Sequence, residues 1–219
     1  MAYQHRYLDG SPLALPAGKI VCIGRNYLDH IRELNNAPPE TPILFIKPST
    51  SLRALDEPIR LPIGRGSCHH EVELAVLVGQ ALRDADAATA RQRVAGYGVA
   101  LDLTLRDLQA ELKQKGYPWE TAKAFDGSCP QSPFLKPDDL ADPQAVDLTL
   151  QINGEFRQKG HTAQMMIGIF DLMAHISTHF TLLPGDVVLT GTPAGVGPLR
   201  SGDRLVLGLA GREFAARVD

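Results

Sequence analysis

Cysteine is scarce: Cys22, Cys68 and Cys129 are the only three in 219 residues. Few, odd in number and far apart, they exclude a disulfide framework and point to a reduced, cytoplasmic setting. Basic charge is not in excess either. The net charge is −3, so no electrostatic footprint for nucleic acid exists. No apolar run is long enough for a membrane span. The opening MAYQHRYLDGSPLALPAGK lacks the basic start and apolar middle of a secretory signal. Aromatic residues make up 6%, with Trp119 the one tryptophan, which is poor material for the stacking platforms of a sugar site.

What is present is a chain of short apolar runs punctuated by glycine and proline. One domain over residues 1–219 is expected at this length. Strands are predicted in the opening stretch, KIVCIG from Lys19, PILFIKP from Pro42 and RVAGYGVALDLTL from Arg93. Further strands are GDVVLTG from Gly185, DRLVLGL from Asp203 and GREFAARV at the end. VDLTLQINGEFRQKG from Val146 reads as a hairpin turning at Asn153-Gly154. Helices are predicted in NYLDHIRELN, in LRDLQAELKQKG with its stop at Gly116, and in MMIGIFDLMAHISTHF. A short one fits ALRDADAATARQRV. The Pro-rich stretch from Asp126 reads as a surface connection. Strands outnumber helices without alternating regularly with them, which implies a β-rich α+β fold.

HHEVELAVLVG, from His69, is the anomaly. Its tail suits a buried strand, yet it carries Glu71 and Glu73. Side chains alternate along a strand, so the two carboxylates share one face. Buried, they need a shared proton, a basic partner or a hard divalent cation. Asp102, inside the apolar run GVALDLTLRD, offers a third ligand for Mg²⁺ or Mn²⁺. Spacing alone leaves a second reading open, in which the two glutamates lie on the wet face of an edge strand and Asp102 caps a helix. Use of the glutamates as acid and base on a sugar is disfavoured by the shortage of aromatics.

Other residues carry chemistry by type and place. His30 and Glu33, three apart, share a helix face, where the carboxylate can orient the imidazole. Their segment, flanked by Gly24 and Asn35-Asn36, has the make-up of a lid. Lys47 lies in an apolar strand and needs an anion or an exit to solvent. Arg25 and Arg106 are candidates for a substrate carboxylate, with Gln109 one turn beyond Arg106. Thr190, Gly191 and Thr192 sit in LTGTPAGVG, whose free N–H groups suit an anion but which has no phosphate-loop lysine. His69 and His70 beside Cys68 lack a second ligand cluster for zinc. His175 and His179 lack the glutamate of a zinc-protease motif.

Six segments together resemble the fumarylacetoacetate hydrolase family. They are IGRNYLDH, LFIKP, HHEVELAVLVG, GYGVALDLTLRDLQ, KAFDGSCP and GDVVLTGTPAGVGPL, in that order along nearly the whole chain. The short length resembles the acylpyruvase and oxaloacetate decarboxylase branch. The resemblance implies a β-sandwich or β-roll with helices packed around it, a homodimer, and a divalent ion held by Glu71, Glu73 and Asp102. It assigns His30 and Glu33 to water activation and gives Lys123 a place facing the substrate. The implied substrate is a small 2-oxo acid. Hydrolysis of a C–C bond in an acylpyruvate is the first expectation. Decarboxylation or keto–enol tautomerisation of oxaloacetate, or isomerisation and decarboxylation of ring-cleavage products, is the alternative. A protein that binds a dicarboxylate without turnover is the reading from another class; His30, Glu33 and Lys123 together argue against it.

Overall fold

Seven consecutive residues, Val72–Val78, are all buried, and they form the middle strand of a seven-stranded sheet. The computed structural model describes residues 3–219. In chain order, β1 (Ile20–Gly24), α1 (Leu28–Glu33), β2 (Ile43–Lys47) and β3 (Leu52–Ala54) come first. Next are β4 (Cys68–His70), β5 (Val72–Val78), α2 (Ala87–Gln92), β6 (Val94–Leu101) and β7 (Thr104–Leu105). Then come α3 (Arg106–Lys115), α4 (Glu120–Lys123), β8 (Cys129–Gln131), and the hairpin β9 (Asp147–Ile152) and β10 (Glu155–His161). The chain closes with α5 (Ile169–His179), β11 (Val187–Leu189), β12 (Gly197–Pro198), β13 (Arg204–Leu209) and β14 (Arg212–Arg217).

The architecture is β-rich α+β. The large sheet has the order β2-β1-β11-β5-β6-β8-β3, a second sheet is β10-β9-β13-β14, and a third is β12-β4-β7. Val72, Leu74, Val76 and Val78 face a core shared with Leu148, Leu150, Leu205 and Leu207 of the second sheet and with Leu172, Met173 and Ile176 of α5. Ala75 and Leu77 face a smaller core with Ile20, Cys22, Phe45, Phe134 and Leu189. A strand covered on both faces reads as a continuous apolar run, which is why alternation fades after Glu73. No helix among the described residues is long and apolar enough to cross a membrane.

The position of the acids follows from strand register. In β5 and β6, Val72 pairs with Leu101 and Glu73 with Ala100. In β4 and β7, Cys68 pairs with Leu105 and His69 with Thr104. The two pairs are one antiparallel ladder that passes from the large sheet into the three-stranded one. The crossing falls at Glu71 and Asp102, which belong to neither sheet, and the Asp102 N–H donates to the Glu71 carbonyl at 2.8 Å. Residues opposite one another point to the same side, as do residues two apart. All three acids therefore share one face, and Ala100 opposite Glu73 leaves room.

Three sequence expectations need correction. Glu71 and Glu73 do not border a wet edge, because β5 is central. The opening stretch forms no strand over residues 3–19. It makes only isolated pairings such as Arg6 with Pro12 and Tyr7 with Phe134, as prolines at 12 and 16 remove ladder donors. The segment from Asp126 is not a surface connection: Ser128, Cys129, Gln131, Phe134 and Leu135 are buried. Its strand β8 tolerates Pro130 because it is three residues long and pairs with β6 only through Gln131 and Ala100.

Candidate active site

Glu71, Glu73 and Asp102 are 4%, 2% and 1% exposed, and one oxygen from each lies within 4.8 Å of the others. Three cations surround them. Lys123 Nζ is 2.7 Å from Glu71 Oε2 and 2.6 Å from Asp102 Oδ2. Arg106 pairs with Glu71 Oε1. Lys47 Nζ lies 2.8 Å from Asp102 Oδ1. Burial works against the Glu71 anion, but Lys123 and Arg106 more than offset it and hold its carboxyl well below the usual carboxylate range. Burial likewise disfavours the Lys123 ammonium, and Asp102 and Glu71 outweigh it, raising its pKa. Among the described residues no cation pairs with Glu73. Its hydrogen bond is from the Gly191 N–H at 2.6 Å. Burial, then Asp102 and Glu71, push its carboxyl well above the ordinary value.

The loop after β11 lies along β5 and is tied to it. Thr190 Oγ1 donates to the Leu74 carbonyl at 3.0 Å and Thr192 Oγ1 to the Val72 carbonyl at 2.8 Å. Gly191 between them has φ +95°, and a Cβ there would lie 2.7 Å from Asn26 Cβ. Only glycine fits both the backbone and the space. Gln158, fully buried on β10, fastens the other side. Its Oε1 accepts from the Val72 N–H at 3.0 Å and from His70 Nδ1 at 2.9 Å. Its Nε2 donates to Thr192 Oγ1 and the Pro193 carbonyl, both at 2.8 Å.

Helix α1 closes over the acids. His30 is buried, and its Nδ1 lies 3.4 Å from Glu33 Oε2. Glu33 Oε1 accepts from the Gly195 N–H at 3.0 Å, which fixes the carboxylate from behind. Burial lowers the His30 pKa despite the opposing pull of Glu71 and Glu33, so the imidazole is neutral at neutral pH. With Nδ1 turned to Glu33, Nε2 is the nitrogen left for a substrate proton.

One cavity is lined by the three acids together with His30, Lys123, Arg25, Arg106, Gln109 and Thr192. Gln109 Oε1 accepts from Arg106 Nη1 at 2.7 Å. Three residues expected to contact substrate lie away from the cavity. Lys47 is fully buried behind Asp102 and donates to the Lys123 and Ser128 carbonyls; its anion is Asp102. Thr190 and Gly191 do not line the cavity, because their polar groups are spent on Leu74 and Glu73. His70 is buried against Gln158 instead of joining a zinc cluster. Sequence reasoning missed Lys113, Asn36, Phe45 and Trp119 on the cavity wall. Lys113 was within reach of it: 106, 109 and 113 follow the spacing of one helix face. Gln158 left no such signal, since it reaches the site through a bulge in β10 at Phe156–Gln158.

Residues 19–218 match the family model for the fumarylacetoacetate (FAA) hydrolase C-terminal region. The chain is 54% identical to oxaloacetate tautomerase YcgM of Escherichia coli over 217 residues, 99% of both chains. It is 44% identical to the mitochondrial oxaloacetate tautomerase FAHD1 of Homo sapiens over 192 residues, 88% of this chain and 87% of that one. Among solved structures, a fumarylacetoacetate hydrolase family protein from Yersinia pestis superposes with TM-score 0.98 at 50% identity, covering 99% of this chain and 100% of that one. Fumarylpyruvate hydrolase from Pseudomonas aeruginosa, in complex with Mn²⁺ and pyruvate, gives TM-score 0.93 at 34% identity, covering 99% and 95%.

Proposed function

The chain belongs to the fumarylacetoacetate hydrolase family, and from that premise we propose that it interconverts the keto and enol forms of oxaloacetate with a divalent cation. The observation that carries this reading is the 54% identity, end to end, with an oxaloacetate tautomerase. That ordering reverses the sequence expectation, in which acylpyruvate hydrolysis came first.

The residues present fit a hard cation. Three carboxylates offer oxygen from one face, within 4.8 Å, and oxygen is the ligand that Mg²⁺ and Mn²⁺ prefer. Asp102 Oδ1 is buried without a hydrogen-bond donor, its lysine neighbour being close but misaligned. Glu71, Glu73 and Asp102 would hold the ion. When bound, it supplies Lewis acidity toward the carboxylate and 2-oxo oxygens of the substrate.

The chain's own groups do the rest. Tautomerisation takes a proton from C3 and adds one at the 2-oxygen, with no water consumed. His30 Nε2, on a neutral imidazole oriented by Glu33, is the base for the C3 proton. Lys123 Nζ faces the same cavity as a buried cation, suited to negative charge growing on the 2-oxygen. Arg106 and Gln109 bind and orient the substrate from α3. Thr192 completes the wall next to the acids.

C–C hydrolysis is the second reading, favoured by the His30–Glu33 pair and by the likeness to fumarylpyruvate hydrolase. The same base would then take its proton from water. A panel of oxaloacetate, acetylpyruvate and fumarylpyruvate, with Mg²⁺ or with EDTA, separates the two. Enol absorbance of oxaloacetate should relax faster with enzyme and Mg²⁺, without matching pyruvate release. Pyruvate release from the acylpyruvates with no effect on the enol signal would overturn the tautomerase reading. A homodimer is proposed alongside, from the family resemblance, and light scattering against the 23.8 kDa chain mass tests it.

A further inference from the structure

Beyond the acids, the cavity wall carries cations with no carboxylate to answer them. Arg25 Nη2 lies 3.0 Å and Lys113 Nζ 2.9 Å from the same atom, Asn36 Oδ1. All three residues line the cavity that holds Glu71, Glu73 and Asp102. Neither Arg25 nor Lys113 forms an ion pair among the described residues, although most exposed arginines and lysines nearby in sequence do, such as Arg32 with Asp29 and Lys115 with Glu111. The remaining bond of Arg25 is a long one, from Nη1 to the Ala37 carbonyl at 3.2 Å. A single neutral amide oxygen therefore sits where two positive groups converge. Of the acids that do line the cavity, Glu71 and Asp102 are already matched by Lys123, Arg106 and Lys47, and Glu73 accepts from the Gly191 N–H.

Two further observations point to a ligand there. Arg25 has φ +65°, a left-handed backbone that a side chain with a Cβ adopts only under strain. Such strain gathers at ligand-clamping positions, and here it turns the side chain toward Asn36. Lys113 continues the face of α3 that carries Arg106 and Gln109. Side chains on a helix lean toward its N-terminus, so the lysine reaches back toward those two residues. Desolvation, then Arg25 and Arg106, lower the Lys113 pKa, as expected of a cation facing other cations without a counter-ion.

We propose that Arg25 and Lys113 form a subsite for the second carboxylate of a dicarboxylic 2-oxo acid, with Asn36 Oδ1 occupying the place of a ligand oxygen. This rests on the reading above, in which the acids hold a cation that chelates the first carboxylate and the 2-oxygen. It divides the cavity into two ends. The acidic end takes the part common to all 2-oxo acids. The basic end decides whether a far carboxylate is welcome, and so separates oxaloacetate-like substrates from acetylpyruvate-like ones. Asn36 follows α1 and its N–H is bonded to the Ile31 carbonyl at 3.0 Å, so occupation of this subsite would also tie the end of that segment to α3.

Calorimetry on the Mg²⁺-loaded protein tests this without turnover, using L-lactate, L-malate and L-2-hydroxyglutarate. The three share a 2-hydroxy acid end, and the last two add a carboxylate. Lys113→Gln removes one cation from an exposed helix face. Asn36→Asp fills the subsite with the protein's own carboxylate at almost no change in shape. The advantage of malate or 2-hydroxyglutarate over lactate should fall about tenfold or more in each variant, the scale of a charge-assisted hydrogen bond, while lactate affinity stays within twofold. An advantage unchanged in both variants for both diacids would overturn the subsite. A wild-type protein that shows this pattern yet leaves the oxaloacetate enol signal untouched would overturn the reaction and keep the subsite.

Discussion

Lys47 Nζ lies 2.8 Å from Asp102 Oδ1, with both side chains buried. The lysine touches no cavity, so its work is electrostatic and architectural. It offsets the charge of Asp102, one of the three carboxylates that face the cavity. It also pins the Lys123 and Ser128 carbonyls. Lys47→Met should destabilise the metal-free protein by roughly 1–3 kcal/mol, because Asp102 keeps Lys123 while the buried carbonyls of Lys123 and Ser128 lose a donor. A divalent cation would supply the missing positive charge, so added Mg²⁺ should raise the melting temperature more in the variant than in the wild type. An equal rise in both proteins would show that Lys47 does not offset the charge of the three acids.

Glu73 is the acid with which no cation pairs among the described residues, and its substitution separates two effects. Its folded pKa is raised by burial, Asp102 and Glu71, above an unfolded value of about 4.3. The folded, metal-free protein therefore holds more protons than the unfolded chain, and its stability falls as pH rises from that value upward. Glu73→Gln is neutral at every pH and should flatten this loss, making the variant the more stable protein in EDTA at pH 8. The same change removes a proposed ligand, so Mg²⁺ affinity should drop by ~100-fold or more, beyond the roughly 10–100-fold that loss of a supporting contact costs. Urea titrations in EDTA at pH 5 and pH 8, with metal calorimetry alongside, check both halves.

How much of this could be read from the chain depended on distance along it. The hairpin at Asn153-Gly154 and the end of α3 at Gly116 are local matters of left-handed backbone, and both were legible. So was the pairing of His30 with Glu33, three apart on one helix. Glu71 and Glu73 announced themselves by interrupting an apolar run. Their convergence with Asp102 rests on a register between β5 and β6 that no local pattern encodes; the family resemblance supplied it. The role of Lys47 was half legible. Its need for an anion followed from burial, but the identity of that anion required the fold. Gln158 was invisible, because a glutamine in an exposed-looking hairpin becomes a buried clamp only when that hairpin meets the loop after β11.

Gln158 uses all four of its hydrogen-bonding positions, toward Val72, His70, Thr192 and Pro193. Val72 stands between Glu71 and Glu73, the proposed metal ligands, and Thr192 stands on the cavity wall. Gln158→Leu keeps much of the volume but strands a backbone N–H and an imidazole N–H. Each stranded group costs about 1–3 kcal/mol. Beyond that loss of stability, Mg²⁺ affinity should weaken severalfold at temperatures where the variant is fully folded, because the strand carrying Glu71 and Glu73 loses its anchor. A folded variant with wild-type Mg²⁺ affinity would reduce Gln158 to a packing residue.

The acid limb of the pH–rate profile tests His30. Burial lowers its pKa from the ordinary 6.5, while Glu71 and Glu33 pull in the opposite direction. A base works when neutral, so kcat/KM should stay level as pH falls through 6.5 and decline only at lower pH. Stability follows the same sign: below the unfolded pKa the unfolded chain takes up the proton first, so acidification weakens the fold. Glu33→Gln removes a group that raises the His30 pKa, and the limb should move further to acid. The lost orientation and the weaker base should lower the rate by ~10²-fold at pH 7.5, with KM little altered, since Glu33 does not line the cavity. A limb that moves toward neutral pH in this variant would mean that another group than His30 carries the proton.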